Sequence, residues 1–239
     1  FSILFFLLFL ACSREQDYFP LKPGKIIHYK IEFIDKDNQK TKSHQTYTFL
    51  EKKKNLYPVL ANGGQLIFYY EDKTGIKRES IHYLRNKTFL NINDKIKKYE
   101  NFKISDDKLD YQKEHYVLKY PLKVGTKWTV KDLTRVKYRE GFDKIFQTRL
   151  PLTINHEIVG VSETLIISGK RYNNCIKVIG KGETSYNVGP PLGNILIQVE
   201  TTNWYAPGFG LLKTIRKEGS DLSVVGRIKT TRIFEEVIY

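Results

Sequence analysis

Methionine is absent from the 239 residues, and cysteine and tryptophan occur twice each. Two cysteines are too few for a disulfide-stapled scaffold, so the fold must rest on its own core. No apolar run approaches the ~20 residues that a transmembrane helix needs. There is no HExxH and no G-x-S-x-G; Gly160-Val161-Ser162-Glu163 fails that pattern at its last position. Gly180-Lys181-Gly182-Glu183 lacks the spacing of a phosphate loop. Acidic residues are scarce, 26 against 40 basic, which leaves a net charge of +14. Hydrophobic content of 41% with 13% aromatics excludes wholesale disorder.

The most informative segment is the first. Phe1 to Ala11 reads FSILFFLLFLA and carries no charge. It is too short to span a bilayer and fits the apolar region of a signal peptide. The missing methionine then implies a chain that begins partway through that peptide. Ala11-Cys12-Ser13 follows. An apolar stretch, a small residue and then cysteine resembles the lipobox of bacterial lipoproteins, although Phe9 stands where that pattern prefers leucine. The resemblance implies cleavage between Ala11 and Cys12 and acylation of Cys12, palmitate included. An ordinary signal peptide with an incidental cysteine is the alternative. Ser13 to Asp17 would be a polar tether. Two or more acyl chains at ~0.8 kcal/mol per buried methylene make such anchoring stable. Ser13 in the place after the cysteine leans towards the outer membrane, where the organism has one.

Export changes the meaning of the charge. In the cytosol an excess of +14 would suggest nucleic acid. An exported chain rarely meets nucleic acid, and the basic clusters are scattered: Lys52-Lys53-Lys54, Lys95 with Lys97-Lys98, and Lys131 to Arg139. Solvated strand faces account for them; attraction to anionic headgroups or lipopolysaccharide is the functional alternative. No nucleic-acid partner is expected, and the oligomeric state stays open.

Period-2 alternation dominates the remainder. Ile27, Tyr29, Ile31 and Phe33 share one face, with His28, Lys30 and Glu32 on the other. Further strands are read near Tyr47 and Phe49, over Leu66 to Tyr70, and after Asp72-Lys73-Thr74-Gly75. Asn62-Gly63-Gly64 marks a hairpin turn. The later strands are Lys87 to Ile92, Tyr116 to Lys119, Thr126 to Tyr138, Leu152 to Val161, Thr164 to Ser168 and Tyr172 to Gly180. Asn194 to Trp204, Leu211 to Lys217 and Leu222 to Val237 complete the series. Ser105 to Glu114 reads as a short helix or a loop. The expected fold is mostly β: an antiparallel sandwich or a partly open barrel. Residues 1–11 form the signal peptide, 12–17 the lipidated cysteine and tether, and 18–239 the β-rich domain. A two-lobe pseudo-repeat would divide that domain into 18–118 and 119–239. The basis is Pro20-Leu21-Lys22-Pro23-Gly24 and its echo Pro121-Leu122-Lys123-Val124-Gly125. A recurring device for leading into a strand is the simpler reading.

Three segments together resemble a group of poorly characterised bacterial lipoproteins. The paired motif resembles that group's Pro-Leu-x-x-Gly-x-x-Trp, with Trp128 keeping the aromatic and Ile27 replacing it in the first copy. Gly169 to Val178 resembles a strand-turn-strand pattern of the group. Trp204-Tyr205-Ala206-Pro207-Gly208-Phe209-Gly210-Leu211-Leu212-Lys213 resembles its aromatic-Tyr-Ala-Pro-Gly-x-Gly-Leu-x-Lys. The resemblance implies fold rather than chemistry, and no reaction carries over.

Candidate chemistry is sparse. His28, His44, His82, His115 and His156 have no helical metal spacing and read as exposed strand residues. Cys175 reads as a buried structural thiol. Asp106-Asp107 and Glu235-Glu236 are sequential and cannot cooperate on a strand, where neighbours face opposite sides. No catalytic residue, metal or cofactor is expected. Trp128, Trp204 and Tyr205 are the aromatics that could face a ligand. The expectation is a non-catalytic cell-envelope lipoprotein with a structural or binding role, held to membrane lipid through Cys12. A carrier or receptor of an apolar ligand, with a cavity in a curved sheet, is the second reading, and a hydrolase with a dispersed site the third. A cavity of several hundred Å³ would favour the carrier.

Overall fold

The computed structural model describes residues 17–62, 65–78, 82–83, 115–140, 144–190, 193–222 and 225–239. The lipobox segment, Lys87 to Ile92 and the whole of Ser105 to Glu114, with Asp106-Asp107, lie outside the described residues. Strands form wherever the alternation is clear. In order they are β1 (Ile26–Ile34), β2 (Lys40–Phe49), β3 (Tyr57–Ala61), β4 (Gln65–Asp72), β5 (Gly75–Arg78), β6 (His82–Tyr83) and β7 (His115–Lys119). Then come β8 (Lys127–Glu140), β9 (Lys144–Ile167), β10 (Lys170–Asn187), β11 (Asn194–Ala206), β12 (Gly210–Gly219) and β13 (Arg227–Ile238).

Local polar residues set the turns. Asp35 Oδ1 accepts from the backbone N–H of Asp37 and Gln39 at 2.9 and 2.8 Å, closing the β1–β2 turn. Asp72 Oδ1 does the same for Thr74 at 2.7 Å and Gly75 at 3.2 Å between β4 and β5. The side chain thereby mimics a backbone turn. Asn62 pins the β3–β4 turn to β2, donating from Nδ2 to the His44 carbonyl at 3.0 Å.

All the strands belong to one antiparallel sheet, ordered β7-β5-β4-β3-β2-β1-β13-β12-β11-β10-β9-β8, with β6 paired to β4. The two end strands, β7 and β8, approach each other, so the sheet curls into a nearly closed barrel rather than a sandwich. The barrel side of β8, β9 and β12 is drawn together across the interior. Arg216 on β12 donates from Nη1 to Asp132 Oδ2 at 2.7 Å and from Nη2 to the Leu133 carbonyl at 3.0 Å, both on β8. Thr134 Oγ1 donates to Glu218 Oε2 at 3.0 Å along the same seam.

One difference from the sequence reading concerns β9. Leu152 to Val161 and Thr164 to Ser168, expected as two strands, belong to one strand that ends at Ile167. The β9–β10 ladder slips register between Tyr172 and Val178, so the alternation breaks while the pairing continues. The halves correspond in topology. β1 to β5 plus β7 form one six-strand meander and β8 to β13 another.

The two Pro-Leu-Lys-x-Gly lead-ins adopt the same backbone. Gly24 and Gly125 have φ of +79° and +88°, values that favour glycine. Gly24 N–H donates to the Phe49 carbonyl (2.9 Å) and Phe49 N–H to the Lys25 carbonyl (2.8 Å). Gly125 and Ile158 repeat that pair, at 2.9 and 3.0 Å, through the Thr126 carbonyl. Each lead-in also closes a turn of the other half. The Gly208 N–H, between β11 and β12, donates to the Asp17 carbonyl at 2.7 Å. Tyr120 N–H donates to the Thr74 carbonyl, between β4 and β5, at 2.9 Å. The recurrence is therefore geometric as well as sequential.

The two largest core clusters lie towards the lead-in end, and a smaller one of Val136, Ile195, Ile197 and Val225 lies at the far end. One cluster joins Ile27, Tyr29, Phe49, Val59, Tyr172, Cys175, Leu212 and Phe234. A second joins Ile76, Leu118, Trp128, Ile158, Val178 and Tyr205. Cys175 is wholly buried, and its Sγ donates to the Tyr172 carbonyl at 3.4 Å.

Candidate functional site: a polar-ended cavity inside the barrel

The barrel is not filled. A cavity of about 360 Å³ runs along its interior, within the range of roughly 300–1,000 Å³ for small-molecule sites. Its lining is graded along the strands. Near the lead-in end the wall is apolar and aromatic: Phe19, Ile27, Phe49, Val59, Ile67 and Phe209. Tyr29, Tyr47, Tyr69 and Tyr205 follow. Strand register places the polar residues further along: Tyr29 pairs with Gln45, and Arg232 with Thr214 two rungs from the Phe234 rung.

One rung supplies a complete wall. Trp128 pairs with His156, His156 with Gly180, Gly180 with Thr201 and Thr201 with Arg216, across β8 to β12. Trp128 and His156 stack, with ring centroids 5.4 Å apart and planes 17° from parallel. Gly180 lets the imidazole lie flat. A Cβ there would fall 2.6 Å from two His156 ring atoms and closer still to Thr201 Oγ1. Burial pushes the His156 pKa down to about 4, with Asp132 opposing weakly, so the ring is neutral at neutral pH.

Five buried polar atoms on this lining have no hydrogen-bond partner: Gln45 Oε1, Trp128 Nε1, His156 Nδ1, Thr201 Oγ1 and Arg232 Nε. A buried polar group without a partner costs about 1–3 kcal/mol, and native chains leave few. Five such atoms around one cavity, without protein partners among the described residues, form a polar wall that a bound molecule can satisfy.

Charge on the lining is also lopsided. Lys25, Arg78, Arg216 and Arg232 face one carboxylate, Asp132, among the described residues. That carboxylate is already engaged by Arg216 and by the Leu133 N–H. Burial works against the Arg216 charge, but Glu218 and Asp132 outweigh it and hold the guanidinium protonated. Lys25 is buried, donates to the Phe209 carbonyl at 3.0 Å and has its pKa pushed by burial down to about 8. Burial likewise raises Tyr69 to about 12 and Tyr205 further, so both stay phenols.

The aromatics singled out by sequence separate here. Trp128 and Tyr205 line the cavity. Trp204 does not: as the neighbour of Tyr205 it takes the opposite face, where its Nε1 donates to Glu163 Oε2 at 3.1 Å. Lys177 and Lys213 lie over its ring at 5.7 and 5.6 Å. The histidines also depart from the exposed reading. His115 and His156 line the cavity, and His28 Nδ1 is 3.0 Å from Thr46 Oγ1, whereas His44 is well exposed, 3.6 Å from Glu235; the His82 side chain lies outside the described residues. Nothing local in the sequence flags His156, because its burial depends on Trp128 and Gly180 on other strands. Gln45, Arg78 and Arg232, which carry much of the polar lining, were not among the sequence candidates either.

Serine and cysteine are absent from the described lining, and no His–Asp hydrogen bond forms there. Outside the cavity, a surface hollow at the β7–β8 approach shares Tyr116, Trp128 and His156 with it.

No protein-family model matches this chain, and no curated protein matches it. Two solved structures are similar to it. One, from Bacteroides fragilis, is described as an exported protein with a YmcC-like fold; it is 14% identical, the match covers 92% of this chain and 98% of that one, and the TM-score is 0.38. The other, from Parabacteroides distasonis, is described as a lipoprotein; it is 13% identical, with 93% and 99% covered and a TM-score of 0.39. At these scores the likeness carries neither function nor location to this chain.

Proposed function

We propose that this chain is a bacterial cell-envelope lipoprotein that binds a small amphipathic molecule inside its barrel and catalyses no reaction. The observation that carries the binding half is the set of five unpartnered polar atoms around a cavity whose other end is aromatic and apolar. A structural scaffold would have closed that space with side chains, because interiors pack to crystal-like density. A volume near 360 Å³ suits a single acyl chain or a compact amphiphile rather than a two-chain lipid.

Export and anchoring rest on the sequence. The apolar segment to Ala11 and the following Cys12 support cleavage before Cys12 and its acylation. Ser13 supports the outer membrane as destination. The short polar tether brings the lead-in end of the barrel, where Asp17 joins the β11–β12 turn, close to the bilayer.

The test uses the full chain extracted from membranes in mild detergent. Native mass spectrometry is expected to show a mass excess that denaturation releases as a small amphiphile. A bare protein mass that neither fatty acids nor their esters can increase would overturn the binding reading. The anchor is tested apart. Cys12→Ala is expected to abolish incorporation of a labelled fatty acid and to move the protein to the soluble fraction; unchanged labelling would refute it.

A further inference from the structure

Resting on that binding reading, we infer that the ligand is an anion, and that Arg78 and Arg232 hold its charged group. Three observations converge on it. The first is the charge count: once Asp132 is assigned to Arg216 and Lys25 to the Phe209 carbonyl, the described lining holds Arg78 and Arg232 with no carboxylate facing them. The second is position. Arg78 on β5 is the cross-strand neighbour of Tyr69, and it lines the same cavity as Arg232 on β13. The third is the state of Arg232 itself. Its guanidinium lies 5.8 and 5.6 Å from the rings of Tyr29 and Tyr47, and its Nε is buried without a partner.

A neutral ligand would desolvate these cations and return only the weaker hydrogen bonds of an uncharged acceptor. A carboxylate, phosphate or sulfonate accepts from guanidinium in the planar geometry that arginine presents. The Tyr69 and Tyr205 hydroxyls, held as phenols, are further donors to the same anion. His156 is neutral and offers a hydrogen bond at Nδ1 without adding charge. The apolar wall of Ile27, Phe49, Val59 and Phe209 takes the chain that the anion terminates. The ligand class is thus a single-chain amphiphile with an anionic head.

The probe is dansylated undecanoate, compared with its methyl ester, which keeps the shape and loses the charge. On the wild-type chain the acid is expected to bind about tenfold or more tightly than the ester. Arg78→Gln and Arg232→Gln should each cost the acid about tenfold and leave the ester unchanged. Equal binding of acid and ester to the wild type would overturn the anionic site while leaving the cavity reading in place. Binding of neither would overturn both. Because that comparison is made on the wild type, a variant that fails to fold does not remove the test. Competition by decanoate and by decyl phosphate separates a fatty acid from a phosphate-headed lipid as the source. Displacement by either supports the site, and displacement by neither refutes it.

Discussion

Gly180→Ala adds one methyl group at the centre of the cavity wall, and its cost can be worked from the geometry. The new Cβ would lie 2.6 Å from Cε1 and Nδ1 of His156, and closer to Thr201 Oγ1. Thr201 can turn its hydroxyl away. The imidazole cannot, since Trp128 is stacked on its other face with centroids 5.4 Å apart. Overpacking of this kind costs about 1–3 kcal/mol. Loss of the ring stack adds roughly 0.5–1.5 kcal/mol. The stiffer unfolded chain of alanine returns about 0.4–1 kcal/mol. The net expectation is a loss of about 0.5–4 kcal/mol, centred near 2, read as a lower midpoint in urea unfolding at neutral pH. The decisive measurement is a double-mutant cycle with His156→Ala. Without the imidazole the methyl group has room, so Gly180→Ala should cost at least about 1 kcal/mol less in that background. A Gly180→Ala chain within about 0.5 kcal/mol of wild type, or a cost that His156→Ala leaves unchanged, would refute the account of this wall.

Three further outcomes follow from the same geometry. The His156 pKa is about 4 in the fold and 6.5 unfolded. The unfolded chain therefore binds more protons across that window, and the His156 contribution falls as pH drops from 6.5 towards 4, by at most about 3 kcal/mol. Comparing urea midpoints at pH 7 and pH 4.5 should show a smaller acid loss in His156→Gln; an equal loss would contradict it. Arg216→Met strands Asp132 and the buried Glu218, so it should cost about 3–5 kcal/mol; a loss under about 1 kcal/mol in thermal or urea unfolding would show that the seam is already screened by water. Gly24→Ala and Gly125→Ala meet open space and differ from glycine only in backbone strain at φ of +79° and +88°. Each should cost about 1–2 kcal/mol, and costs differing by more than that would deny the two lead-ins a common role.

Much of the fold was legible locally. The alternation of Ile27, Tyr29 and Phe33, the turn residues Asp35, Asn62 and Asp72, and the lead-in glycines Gly24 and Gly125 each report a property of a few neighbouring residues. The continuity of β9 was not legible, because a register slip against β10 scrambles the face on which residues 160–163 fall. Trp204 and Tyr205 were grouped together by adjacency, although a strand sends adjacent side chains to opposite sides. The site was only partly visible: Trp128 and Tyr205 stand out as aromatics, while Arg232 looks like any other basic residue in a lysine-rich chain.

Local sequence settles the strands, their turns and the antiparallel class. Those follow from backbone preferences and side-chain period, which act over a few residues. The curl of the sheet, the meeting of β7 with β8 and the cavity inside arise from contacts between residues far apart in the chain. The tertiary structure also decided which charges are paired. Asp132 meets Arg216 across the barrel, and Arg78 and Arg232 are left facing the cavity. Pairing of charges depends on distance in space between residues far apart in the chain, and that distance is set by the closure of the whole sheet.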